Sequence, residues 1–228
     1  MRGCRFLVGA TALVMVLAAC GDDAQPVRYT AVPLDGALLA PADVGADFSV
    51  DDRTGGESRP PDTPAIDPGI WCDAAGSTAD EMQGFIGAEP VFVQLVSTSV
   101  SGRTFHGVSE EMWTADDAQA VVDAADRGFT ACSASEWSID DGGSASMVAL
   151  STGDAGDDSA AALVTYLTEG PDAGYAWRNR VGVVRVGTTV IVLQELDVQQ
   201  ADSPAFMTDA EWQAVLDTAV AKVEALGD

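Results

Sequence analysis

The first residues of the chain read as an export signal, and this sets the expectation of where the remainder folds and under what chemistry. Met1-Arg2-Gly3-Cys4-Arg5 carries two arginines and leads into an apolar run from Phe6 to Leu17, followed by Ala18-Ala19. A positive start, a short apolar core and small residues before a cut are the parts of a secretory signal. The run is too short to span a bilayer, which needs about 20 apolar residues. Removal of residues 1–19 leaves enough chain for one sizeable domain with its own core.

The stretch Leu17-Ala18-Ala19-Cys20-Gly21 resembles the lipobox of bacterial lipoproteins. The resemblance implies cleavage before Cys20, lipidation of Cys20 and a membrane partner reached through that anchor, on the extracytoplasmic face of the cell membrane. With Cys4 discarded and Cys20 acylated, two thiols remain, Cys72 and Cys132. An even remainder in an oxidising compartment predicts a disulfide between them. No Cys-x-x-Cys arrangement marks the pair as redox-active.

Charge narrows the partners. The chain holds 11 Lys+Arg against 36 Asp+Glu, a net charge of −25, and losing Arg2 and Arg5 makes it more acidic still. Nucleic acid is excluded as a partner, because that affinity comes mainly from cations neutralising phosphates. An anionic leaflet also repels such a surface, so the acyl anchor must do the holding. Lys222 is the only lysine, and the abundance of Ala, Gly, Asp and Val resembles the usage of a high-GC actinobacterium.

Residues 20–34 are polar and proline-dotted and read as a flexible spacer. Residues 35–228 read as a single extracytoplasmic domain. The pattern from Asp35 to Val44 predicts a short helix with Leu38, Leu39 and Val44 inward, Pro41 opening a turn and Gly45 stopping it. Residues 51–69, with Pro60, Pro61, Pro64 and Pro68, read as a loop pinned by Trp71-Cys72. Strands are expected over 91–100, 103–112, 144–151, 160–169, 174–186 and 188–198, with a tight hairpin at Val186-Gly187-Thr188. Apolar residues at 3–4 spacing predict helices over 115–131 (Ala118, Val121, Val122, Ala125, Phe129) and 209–226 (Trp212, Val215, Leu216, Ala219, Val223). Segment 114–123 aligns without gaps to 208–217, and each begins with Thr followed three residues later by an acid, Asp117 or Glu211, as in a capping box. The class is α+β, a central antiparallel sheet flanked by helices; the internal match opens the alternative of two related strand-helix halves.

Catalytic signals are weak. His106 is the only histidine, and it reads as a polar strand residue; no HExxH, CxxC or G-x-S-x-G pattern accompanies it. The carboxylate pairs Asp116/Asp117, Asp140/Asp141, Asp157/Asp158 and Glu110/Glu111 are all expected in solvated turns or helix starts, where neither partner is kept protonated. The runs SIDDGGS and STGDAGDDS offer oxygens but lack the calcium-loop pattern. No glycine-rich phosphate loop is present. Neither a cofactor, a metal site nor a catalytic residue is assigned. The one unusual cluster is Tyr175-Ala176-Trp177-Arg178-Asn179-Arg180. On a strand, Tyr175 and Trp177 share one face and Arg178 and Arg180 the other. The two arginines suit an anionic ligand group or local carboxylates, and the aromatics are expected in the core.

The order of ALLAPADVG, the cysteine after Trp71, the helix closing at Cys132, the hairpin VGVVRVGTTVIVL and the final helix resembles actinobacterial sensor-domain lipoproteins, the PknH-like extracellular domain family. The resemblance covers roughly residues 35–226 and implies a sheet-and-helix domain with a cleft for an unidentified ligand. Cys72 and Cys132 match the family's cysteines after the proline-rich loop and at the end of the first long helix. The function expected from all this is a membrane-tethered, non-catalytic ligand-binding or sensor-like module whose partner is an unknown small ligand or envelope protein. A carrier of lipid or another hydrophobic molecule, and an envelope hydrolase, are the alternatives.

Overall fold

Eight strands form one antiparallel sheet in the order β1-β2-β3-β8-β7-β6-β5-β4. They are β1 (Phe48–Val50), β2 (Val91–Ser97), β3 (Phe105–Thr114), β4 (Glu136–Ile139), β5 (Gly143–Leu150), β6 (Asp158–Thr168), β7 (Tyr175–Val186) and β8 (Thr189–Gln200). Among the described residues, three helices with defined bounds accompany the sheet: α1 (Pro41–Val44), α2 (Ala118–Cys132) and α3 (Asp209–Glu224). This is the expected α+β class. The structure is a computed structural model that describes residues 33–51, 71, 72, 75, 78, 81, 90–97, 105–133, 135–139, 143–168, 175–200 and 206–227. The expected signal, Cys20, the expected spacer up to residue 32, residues 52–69 of the expected loop over 51–69, and Asp140/Asp141 lie outside the described residues.

Hairpins dominate because β-branched runs follow one another with only short turns between them, which parallel crossovers would not allow. The β7–β8 hairpin sets the register at the centre. Val186 pairs with Thr189, and Gly187 takes φ 60°, a left-handed conformation that suits glycine. Asp157 secures the turn, accepting from Gly187 N at 2.7 Å and from Arg185 Nη1 at 3.2 Å.

The two long helices cover opposite faces of the sheet. Val121, Val122, Ala125 and Phe129 of α2 pack on Trp113, Met147, Val164, Val181, Val183 and Val192. Trp212, Val215, Leu216 and Ala219 of α3 join Leu39, Leu95, Val108, Met112, Ile191 and Leu193 on the other side. Each helix leaves a central strand, β3 or β8, and those two strands are hydrogen-bonded neighbours.

The helix starts differ in detail from one another. Thr208 and Glu211 form the reciprocal capping box, with Glu211 N donating to Thr208 Oγ1 at 3.2 Å and Thr208 N to Glu211 Oε2 at 2.8 Å. At α2 the expected Thr114 cap is replaced by Asp117 itself, which accepts from Ala120 N at 3.0 Å. Thr114 cannot cap because it is still the last residue of β3.

Cys72 and Cys132 are joined, with Cα atoms 5.6 Å apart. Trp71 stacks on Phe129 at 5.3 Å between centroids, and a Cβ on Gly128 would come within 2.5 Å of the Trp71 ring. This close approach needs glycine at 128. The expected helix over 35–44 is a 3-10 turn, Leu34–Ala37, followed by α1, with Pro41 at its first position and Gly45 as its C-cap. Leu34 and Leu39 are buried, while Leu38 and Val44 are partly so. Two short edge strands, β1 and β4, were not expected from the sequence.

Candidate functional site

The β7–β8 hairpin builds a charged cluster inside the molecule. Pairing places Arg180 opposite Glu195 and Arg178 opposite Asp197, and β3 adds His106 opposite Asp197. All five side chains therefore project from the sheet face that carries α3. His106 Nε2 lies 2.9 Å from Glu195 Oε1, and the same oxygen accepts from Met207 N at 2.7 Å. Arg180 Nη2 donates to Met207 O at 3.3 Å and Asp209 Oδ1 at 3.1 Å, while its Nη1 stands 3.9 Å from Glu195 Oε2. Arg178 Nη2 donates to Asp197 Oδ2 at 3.2 Å.

Phe206 closes the cluster. The Arg178 and Arg180 guanidinium carbons sit 4.3 and 4.6 Å from its ring centroid, and Arg180 also lies 5.5 Å from that of Trp212. A cation over an aromatic face is attracted by the ring quadrupole. Burial of these charges is tolerated because each has an opposite charge or a backbone dipole to meet. His106 is thus a buried partner of Glu195, also in edge contact with Phe48 at 5.2 Å, and more than the polar strand residue expected.

Glu110 and Glu111 correct the sequence reading more sharply. Both lie in the middle of β3, and both are buried rather than solvated in a turn. Glu110 Oε2 accepts the Leu39 N–H at 2.6 Å, and its Oε1 has no hydrogen-bond partner. Burial pushes the Glu110 carboxyl up to about 7, against the downward pull of the Leu39 amide and Lys222; Asp43 adds an upward push. Lys222 of α3 donates to Leu38 O at 2.9 Å and to Asp43 Oδ2 at 2.5 Å. Burial raises the Asp43 pKa, but the bonds from Lys222 and Ala40 N outweigh it and leave it below the usual range. Asp157 is exposed at a turn as expected, engaging Gly187 and Arg185, whereas Asp158 is not in a solvated turn: it opens β6, half-buried, and accepts from Gln119 Nε2.

The opposite face of the same β7 segment presents an aromatic row. Trp137 pairs with Ala145, Ala145 with Tyr166, and Tyr166 with Trp177, so these residues cross four strands on one rung and one face. Trp137 and Tyr166 are partly buried against the α2-side core. Trp177 is 45% exposed, which corrects its expected place in the core. Asn179 lies one rung in on the same face and is only 6% exposed. Its Nδ2 donates to Gln194 Oε1 at 3.4 Å, and its Oδ1 has no partner. Tyr175 opens β7 opposite Gln200, and its side chain lies outside what the structure describes.

No family model and no curated relative matches the chain. Among solved structures, the chain is similar to the crystal structure of the extracellular domain of PknH from Mycobacterium tuberculosis. That likeness has a TM-score of 0.49 at 12% identity and covers 83% of this chain and 93% of the other. It is also similar to a putative uncharacterized protein, the Rv0999 ortholog from Mycobacterium smegmatis. There the TM-score is 0.42 at 12% identity, covering 85% and 99% respectively.

Of the sequence-derived site, the structure brings Arg178 and Arg180 together on one face and sets Trp177 on the other. Glu195, Asp197, Phe206, Tyr166 and Asn179 were missed. Among the described residues no group of three or more His, Cys, Asp or Glu is placed to hold a metal ion. No described helix is long and apolar enough to cross a membrane.

Proposed function

We propose that the chain is an exported, lipid-anchored module that binds a ligand at the extracytoplasmic face of the membrane and performs no chemistry on it. The supporting observation is the division of labour along β7. Trp177 offers an exposed indole on one face, while Arg178 and Arg180 are internally neutralised on the other. A general acid or base must reach the proton it moves. His106 and Glu195 reach each other and the Met207 amide, and Glu110 reaches the Leu39 amide. Those groups serve the fold, which leaves binding as the work of the exposed face. Cys20, followed by a polar spacer, supplies the tether, and the bridge between Cys72 and Cys132 suits an oxidising compartment.

Thermal-shift screening of the mature chain against envelope-derived small molecules tests this reading, since a ligand that binds the folded state raises its melting temperature. A concentration-dependent shift that disappears in Trp177→Ala is expected. Hydrolysis of an envelope polymer that is lost in His106→Ala would instead establish an enzyme.

A further inference from the structure

We infer that the aromatic row Trp137–Tyr166–Trp177, with Asn179 beside it, is a binding site for a neutral oligosaccharide. The inference rests on the binding-module reading and names its ligand.

Three features select that chemistry. The rung itself and the next one inward, Met147–Val164–Asn179–Leu196, contain no charged side chain. A chain of net charge −25 repels an anionic ligand at long range, and no cation in these two rungs offsets that. An anionic ligand is therefore disfavoured, and a neutral one needs no counter-charge from these rungs. An aromatic ring carries negative charge on its face, and the apolar C–H side of a sugar ring presents the complementary partial positive charge. Trp177, at 45% exposure, offers its indole for this stacking.

The buried amide supplies the polar half. Asn179 Oδ1 is an acceptor with no partner, in a residue only 6% exposed. A buried acceptor left unpaired costs free energy, so the site favours a ligand that brings a donor. A purely apolar ligand would leave that oxygen unpaired, whereas a sugar hydroxyl that reaches it on binding would satisfy it. Length argues for several rings rather than one. The row crosses three strand spacings, roughly 14 Å from Trp137 to Trp177. The residues lie side by side along a sheet, not around a point, with Trp177 exposed and Trp137 and Tyr166 partly buried, an arrangement that suits an extended chain rather than a compact cation.

The test uses the full mature chain in detergent micelles, titrated with maltohexaose and with cellohexaose and then probed on a neutral-glycan array. Tryptophan fluorescence and calorimetry read the binding. Saturable binding of a neutral glycan is expected. Trp177→Ala should weaken it at least tenfold with an unchanged melting temperature, and Trp177→Phe should restore part of it. Arg178→Ala should leave it unchanged. Absence of binding to every neutral glycan, or binding that Trp177→Ala leaves intact, would overturn the assignment. A non-saccharide ligand whose thermal shift depends on Trp177 would overturn the saccharide while preserving the binding module. Loss of both results would overturn both.

Discussion

Leu39 donates its backbone N–H to Oε2 of Glu110 at 2.6 Å, across 71 residues of sequence. The bond straps the segment that enters the domain onto the centre of the sheet. Lys222 holds the same segment from α3 through Leu38 O and Asp43. One buried carboxyl thus secures the part of the domain nearest the expected tether.

That carboxyl gives stability a particular pH dependence. Glu110 titrates at about 7 in the folded chain against 4.5 for the free side chain. Its pKa is raised on folding, so its contribution is complete below about pH 4.5 and is lost as pH rises through 7. The loss amounts to at most about 3 kcal/mol. Urea titrations from pH 5 to 8 should show falling stability, and Glu110→Gln should flatten that slope while keeping an acceptor for Leu39. Asp43 is shifted the opposite way by Lys222 and Ala40, so its contribution is lost in strong acid.

Removing one member of the ion network should cost more than removing two. Arg180→Met leaves Glu195 buried beside His106 without its cation, and losses of about 3–5 kcal/mol follow from breaking a buried pair. The double variant Arg180→Met, Glu195→Leu should recover part of this. Arg178→Ala should cost less, because its side chain is 31% exposed. Denaturant midpoints at constant m-value provide the check.

The hairpin at Gly187 shows how far the sequence could be read. Once Val186 and Thr189 are taken as the closing pair, counting outward puts Arg180 opposite Glu195 and Arg178 opposite Asp197. The ion network was therefore latent in a turn already identified, and the alternation of charges in LQELD was its signal. Both long helices, including every apolar position expected to face inward, were legible because their 3.6-residue period is unbroken. Glu110 and Glu111 were misread because adjacent acids usually mark solvated sequence, and the Leu39 amide that Glu110 meets is distant in the chain. The aromatic row was not legible. Trp137 belongs to a four-residue edge strand, β4, too short for any period to show, and its alignment with Tyr166 and Trp177 depends on two further registers.

The Cys72–Cys132 bridge closes a loop of 60 residues and buries Trp71 against Phe129. Chain-entropy reasoning gives about 4 kcal/mol for such a closure. Cys72→Ser with Cys132→Ser should lower the melting temperature by roughly 8–16 °C, at about 2–4 °C per kcal/mol for a domain of this size. Reductant should do the same to the unsubstituted chain and nothing further to the double variant. Calorimetric scans with and without reductant make the comparison.

The proposed function places the chain at the membrane through export and tethering at Cys20, and intact-mass spectrometry of the membrane-extracted protein tests that proposal most directly. The account predicts a chain that begins at Cys20, carries acyl chains on that residue and is released to the soluble fraction by Cys20→Ser. A chain that retains residues 1–19, or one that starts at Cys20 without acylation, would contradict it.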